Sequence, residues 1–137
     1  MKYLLDTNIC IAIMNQIAPK KANTAMNLAV AAGDELCISS IVVHELWFGV
    51  EKSRDVSSNA NRAVEFFMPP FHILDFDTED AGKAGEIRAD LARRGTPIGP
   101  YDVLIAGQAL ARGLTLVTAN TREFSRVDGL NLVDWTI

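Results

Sequence analysis

The sequence predicts an α/β domain built on a mainly parallel sheet, and three observations carry that expectation. Short apolar runs alternate with longer helical stretches through the whole chain, the pattern of a parallel sheet covered by helices on both faces. The chain opens on strand, turn and helix: Tyr3 to Leu5 is apolar, Asp6 stops it, Thr7-Asn8 suits a helix start, and Ile9 to Met14 is apolar again. The composition, 49% hydrophobic and 22% charged over 137 residues, is that of one ordinary globular domain spanning residues 1–137.

The elements follow in order. Pro19 suits the first turn of a second helix running to Ala32, ended by Gly33-Asp34. Glu35 to Ile38 is a short buried strand. Ser39-Ser40 starts a helix that Ile41 to Val50 continues, and the polar stretch from Glu51 to Asn61 reads as a loop or helix-to-helix connection. Arg62 to Met68 is helical and stops at Pro69-Pro70; Phe71 to Phe76 is a third strand. Thr78 to Arg94 is the longest helix, with Thr78 as its cap, Glu79 and Asp80 at its positive end and Arg93-Arg94 at its negative end. Gly95 to Pro100 is a rigid loop by composition. Tyr101 to Arg112 is a helix stopped by Gly113, Leu114 to Thr118 a fourth strand, Asn120 to Phe124 a turn or short helix, and Leu130 to Trp135 a last strand.

Charge and cysteines narrow the function classes. A net charge of −4 offers no broad attraction to phosphate, unlike a generic nucleic-acid binder. The two cysteines, Cys10 and Cys37, lie in apolar segments without metal-binding spacing and read as buried thiols of a reducing compartment. The opening apolar run is too short for a signal peptide and no segment is long enough to span a membrane, so a cytoplasmic location is expected.

Three acids stand in apolar contexts: Asp6 at the end of the first strand, Glu45 between Val42-Val43 and Leu46-Trp47-Phe48, and Asp102 in the first turn of the helix before the fourth strand. Right-handed crossovers bring the carboxyl ends of parallel strands to one edge, where ligand crevices form. A buried carboxylate needs a partner, and no Lys or Arg shares the helical face near Glu45. A shared cation would serve all three acids, and oxygen-only donors indicate Mg²⁺ or Mn²⁺ rather than zinc. Helix capping for Asp6 and Asp102 and a salt bridge for Glu45 are the alternatives. His44 and His72 read as structural.

Four motifs in order, Leu5-Asp6-Thr7-Asn8-Ile9-Cys10-Ile11, Ile38-Ser39-Ser40 with His44-Glu45-Leu46, Gly95-Thr96-Pro97-Ile98-Gly99-Pro100-Tyr101-Asp102 and Leu116-Val117-Thr118-Ala119-Asn120-Thr121-Arg122-Glu123-Phe124, resemble PIN-domain ribonucleases, most closely the VapC toxins of bacterial toxin–antitoxin pairs. The resemblance extends to Val133-Asp134-Trp135. It implies a PIN-like three-layer sandwich with a mainly parallel five-stranded sheet in strand order 3-2-1-4-5, so that Asp6 and Asn120 neighbour each other across the crevice. It implies a Mg²⁺-dependent endoribonuclease, with Mn²⁺ able to substitute, whose catalytic acids are Asp6, Glu45 and Asp102 and whose metal ligands are Asp6 and Asp102. Asn120 stands where many PIN domains have a fourth acid, which favours one tightly held ion. Glu123, a helical turn on, is either a partial substitute or solvent-facing. Asn8, Thr118, Asn120 and Thr121 are expected to orient a carboxylate, a water or the substrate.

The resemblance further implies a homodimer, a VapB-type antitoxin whose segment blocks the groove, an RNA substrate such as structured transfer RNA, and DNA contact only through the antitoxin complex. Trp47 and Phe48 are candidate antitoxin-binding residues. The rival readings are a phosphoacceptor signalling domain, a phosphatase with a strand-end Asp nucleophile, and a non-catalytic binding module. Asp75 or Asp77 could accept phosphate, but no Lys follows Lys83, and Asn8 stands where the phosphatase needs its second acid.

Overall fold

The structure, a computed structural model, describes Met1–Ile137. Five strands, β1 (Lys2–Leu5), β2 (Glu35–Ser39), β3 (Phe71–Leu74), β4 (Thr115–Val117) and β5 (Leu132–Val133), form one sheet in the order β3-β2-β1-β4-β5. Every neighbouring pair is parallel, as the sequence led us to expect. β1 is central: Leu4 pairs with Cys37 on one side, and Leu5 pairs with Val117 on the other. All strands therefore end at one edge, and Asp6, Ser40 and Thr118 leave the sheet side by side.

Seven helices connect the strands: α1 (Thr7–Met14), α2 (Lys21–Ala31), α3 (Ser40–Lys52), α4 (Val56–Phe66), α5 (Thr78–Arg93), α6 (Pro100–Arg112) and α7 (Thr121–Phe124). Successive strand residues point to opposite faces. Leu4 and Leu5 are both fully buried, as are Leu116 and Val117, so helices cover the sheet on both sides. Burying one such side chain stabilises the fold by about 1.5–3 kcal/mol. α5 and α6 pack closely enough that a Cβ on Gly107 would lie 2.7 Å from the Ala84 backbone, so only glycine permits that approach.

A polar knot fixes the far ends of these two helices. Asp77 and Asp80 form a capping box at the start of α5. Asp80, 1% exposed, accepts hydrogen bonds from Arg112 Nη2 at 2.9 Å and Gln108 Nε2 at 3.2 Å on α6. Burial alone would raise the Asp80 pKa, but the Arg112 guanidinium and the Asp77 amide hold the carboxyl below its usual range.

Several boundaries differ from the sequence reading. α2 begins at Lys21 rather than Pro19, because Ile17 to Lys20 forms a tight turn closed by Lys20 N–H on the Ile17 carbonyl at 2.7 Å, with Lys20 left-handed at φ 63°. The stretch expected as a connection contains most of α4: Asp55 caps it by accepting from Ser58 N–H, a signal masked by the surrounding charge. Asp77, not Thr78, caps α5, since its carboxylate reaches the Asp80 amide. α5 ends at Arg93, one residue short, and α6 begins one residue early, with Pro100 in its first turn after Gly99. β3 stops at Leu74 and β5 is only Leu132–Val133, because edge strands keep only the residues with a partner in register.

Candidate active site

The crevice at the carboxyl edge is built from the ends of β1 and β4 and from α1, α3, α6 and α7. Asp6 continues the β1 ladder, its N–H donating to the Val117 carbonyl at 2.9 Å, and then caps α1, its Oδ1 accepting from Thr7 N–H at 2.8 Å. Its other oxygen accepts from Thr118 Oγ1 at 2.8 Å and Asn8 Nδ2 at 3.4 Å. Thr118 in turn accepts from Asn120 N–H at 3.0 Å, and Asn8 accepts from Ala119 N–H at 3.3 Å. Capping and site geometry thus coincide in Asp6, and β4's end holds the carboxylate still. Asp6 is only 4% exposed; burial pushes its pKa up, against the pull of the Thr118 and Thr7 hydrogen bonds.

Glu45 sits in the second turn of α3, a helix that Ser39 caps through Ile41 N–H. It is half-buried and accepts from Thr7 Oγ1 at 2.9 Å, so α1 and α3 meet at the site. Asp102, also half-buried, lies in the first turn of α6. Its pKa is pushed up to about 6, first by burial and then by Asp6, Glu123 and Glu45. A Cβ on Gly99 would come within 3.1 Å of Asp102 Oδ2, so the glycine leaves space beside that oxygen.

Glu123 corrects the solvent-facing expectation. It is half-buried, accepts from Asn120 Nδ2 at 2.9 Å and acts on Asp102 through its charge. A carboxylate thus stands one helical turn beyond Asn120, held by the Asn120 amide. Thr121 opens α7 without a hydrogen bond to any of these acids. The only sequence signal for Glu123 was its spacing from Asn120, which a four-residue helix turns inward.

The structure thus brings Asp6, Glu45 and Asp102 to one crevice, with Asn8, Thr118 and Asn120 behind them. None of the four carboxylates is paired with Lys or Arg; the salt bridges lie elsewhere, at Asp34, Glu35, Glu86, Asp90, Asp77 and Asp80. No three His, Cys, Asp or Glu side chains are gathered tightly enough to hold an ion by themselves. The donor set nonetheless fits a hard divalent ion that keeps several waters: oxygens only, uncompensated negative charge, and an Asp102 carboxyl whose ionised form its neighbours disfavour. His72 is exposed on β3 and His44 stands against Tyr101, so neither joins a metal cluster. Cys10 and Cys37 are buried free thiols. Asp75 and Asp77 lie in the connection after β3, where Asp77 is committed to capping α5.

Trp47 is half-buried, with its ring 6.5 Å from that of Phe67, whereas Phe48 is 60% exposed. Neither lines the cavity of about 230 Å³ between α1, α3 and α4, which is lined by Ile11, Met14, Leu46, Val50 and Arg62, with Glu45 at its wall.

An all-parallel five-stranded sheet in this order, with acids from β1, α3 and α6 meeting at its carboxyl edge, defines a PIN domain, and the PIN domain family profile matches residues 3–130. The tRNA(fMet)-specific endonuclease VapC of Salmonella typhimurium is 46% identical over 136 residues, covering 98% of each chain. In structure the chain is similar to VapBC2 from Rickettsia felis bound to a promoter DNA fragment, with a TM-score of 0.89, 37% identity and coverage of 98% and 99% of the two chains. It is also similar to DNA-bound VapBC from Salmonella typhimurium, with a TM-score of 0.87, 45% identity and 98% of each chain covered. The chain belongs to the VapC ribonucleases of the PIN-domain family. PIN-domain nucleases generally depend on a divalent metal.

Proposed function

We propose that residues 1–137 form a single PIN domain that acts as the toxin of a toxin–antitoxin pair, a Mg²⁺-dependent endoribonuclease with transfer RNA as its substrate. The observation that carries this reading is the convergence of Asp6, Glu45, Asp102 and Glu123 in one crevice without a cationic partner. Asp6 and Asp102 would hold the ion, with Glu45 and Glu123 reaching it through water; Mn²⁺ would substitute. Such an ion polarises a phosphodiester and lowers the pKa of a water for in-line attack. Thr118 and Asn8 keep Asp6 in one rotamer, Thr7 orients Glu45, and Asn120 orients Glu123. No histidine is needed as base, and the cytoplasm supplies both ion and substrate.

The partners follow the same reading. A VapB-type antitoxin covers the cavity between α1, α3 and α4 and brings the complex to DNA, with exposed Phe48 and half-buried Trp47 as candidate contacts on another face of α3. The similar structures are themselves VapBC complexes bound to DNA, which supports this assignment. The toxin is a homodimer. No helix is long and apolar enough to cross a membrane.

The test incubates purified protein with total bacterial transfer RNA and an unstructured messenger fragment in Mg²⁺, and sequences the new ends. Cuts confined to a single-stranded loop of one or few transfer RNAs are expected. Uniform degradation of both RNAs, or no cutting, would refute the substrate assignment.

A further inference from the structure

Immediately beside two of the acids stand two aromatic side chains that the chemistry above leaves unused. His44 precedes Glu45 on α3, and Tyr101 precedes Asp102 on α6. Their rings meet across the two helices, 5.3 Å between centroids and tilted by 56°. Both are exposed, Tyr101 keeping 46% of its surface. A tilted contact occupies the edge of one ring and leaves a ring face open. Past Tyr101 the surface falls into a groove of about 740 Å³ between α5 and α6, with Arg88, which forms no salt bridge, on its lining.

The electrostatics say what such a pair is for. With a net charge of −4 and a crevice of unpaired carboxylates, broad electrostatic attraction to phosphates contributes little to holding RNA here. Stacking on aromatic rings is a general source of affinity for a single strand, and it is indifferent to base identity. RNA loops present unstacked bases. We propose that His44 and Tyr101 form a stacking platform for an unpaired nucleobase of the RNA, one that flanks the phosphate held at the acids. This assignment rests on the RNA-cleaving reading above and adds a substrate-binding role for two residues.

The test uses a transfer-RNA stem–loop that the protein cuts, whose single-stranded loop presents the unpaired base. With the intact substrate, Tyr101→Ala and His44→Ala are expected to raise KM about tenfold with kcat little changed, whereas Tyr101→Phe and Tyr101→Trp keep the wild-type KM. Removing the base at the stacked position should weaken the wild type by a similar factor and leave Tyr101→Ala no worse. Stacking is also read without cleavage: in the Asp6→Asn background, a 2-aminopurine at that position should be quenched on binding, and Asp6→Asn/Tyr101→Ala should lose the quenching. A chain that fails to cut RNA would sink the nuclease reading and still leave this fluorescence measurement to decide the platform. An unchanged KM, an equal fall in kcat on intact and abasic substrates, or a change of oligomeric state in light scattering on Tyr101→Ala would overturn the proposal. The last two outcomes mean helix packing and a protein–protein contact respectively.

Discussion

Asp102→Asn should make the metal-free protein more stable, and the size and pH dependence of the gain follow from the crevice. The carboxyl rises from its ordinary 3.8 to about 6 because burial, Asp6, Glu123 and Glu45 all disfavour its charged form. That rise corresponds to about 3 kcal/mol against the ionised group. Asp102 is only half-buried, so solvent screening leaves about 1–2 kcal/mol as a stability penalty. The sign is opposite to that of a salt-bridged acid. Below 3.8 the group is protonated in both folded and unfolded chains and there is no penalty; as pH rises the unfolded chain ionises first, and the penalty is complete above about 6. Removing the charge should therefore raise Tm by about 3–8 °C near pH 8 in EDTA, with the gain fading as pH falls below about 4. Mg²⁺ or Mn²⁺ should reverse the order, stabilising the wild type more than the variant. The assay is thermal unfolding of both proteins across pH, with and without metal. A variant no more stable than the wild type near pH 8 in EDTA, or a gain that does not depend on pH, would refute the electrostatic account of the crevice.

Three further outcomes follow from the same contacts. Thr118→Val removes the hydroxyl that holds Asp6 at 2.8 Å while keeping its shape, so cleavage should fall about 10–100-fold with Mg²⁺ and the fold should persist, as judged by circular dichroism. Glu123→Gln should lower the Asp102 pKa toward its ordinary value, read by NMR titration of the metal-free carboxyl; an unmoved titration would mean that Glu123 does not face the crevice. Arg112→Met leaves buried Asp80 without its cation and should destabilise by about 2–3 kcal/mol in urea at neutral pH. Because Asp80 is held below its ordinary pKa, that stabilisation is present above the usual carboxylate range and is lost as pH falls through the lowered value. The difference from wild type should therefore shrink below about pH 4.

The parallel pairing and the common edge of the strand ends were legible because apolar runs and their stops record the sheet directly and crossover handedness fixes one edge. The strand order and the placing of Asp102 with Asp6 and Glu45 came instead from the family resemblance. Asp6 could not be assigned to capping or to the site from sequence, because one carboxylate does both, one oxygen on each task. Glu123 was harder still: whether a residue one turn beyond Asn120 faces in or out depends on the direction of α7, four residues too short to carry a pattern of their own. α4 was hidden because its Asp55 cap lies within a charged stretch, where local polarity outweighs a single capping residue. The Asp80–Arg112 knot joins residues 32 apart in sequence, beyond any local pattern.

The central claim is that the crevice cleaves RNA by metal-assisted hydrolysis with Asp6 as an ion ligand. The most direct measurement is the chemistry of the product ends from wild type and Asp6→Asn, in EDTA and after restoring Mg²⁺. The account predicts 5′-phosphate and 3′-hydroxyl ends from the wild type in Mg²⁺ only, and cleavage lower by orders of magnitude from a folded Asp6→Asn protein. Cutting that continues in EDTA to 2′,3′-cyclic phosphates, or a folded Asp6→Asn protein cutting at the wild-type rate, would contradict it.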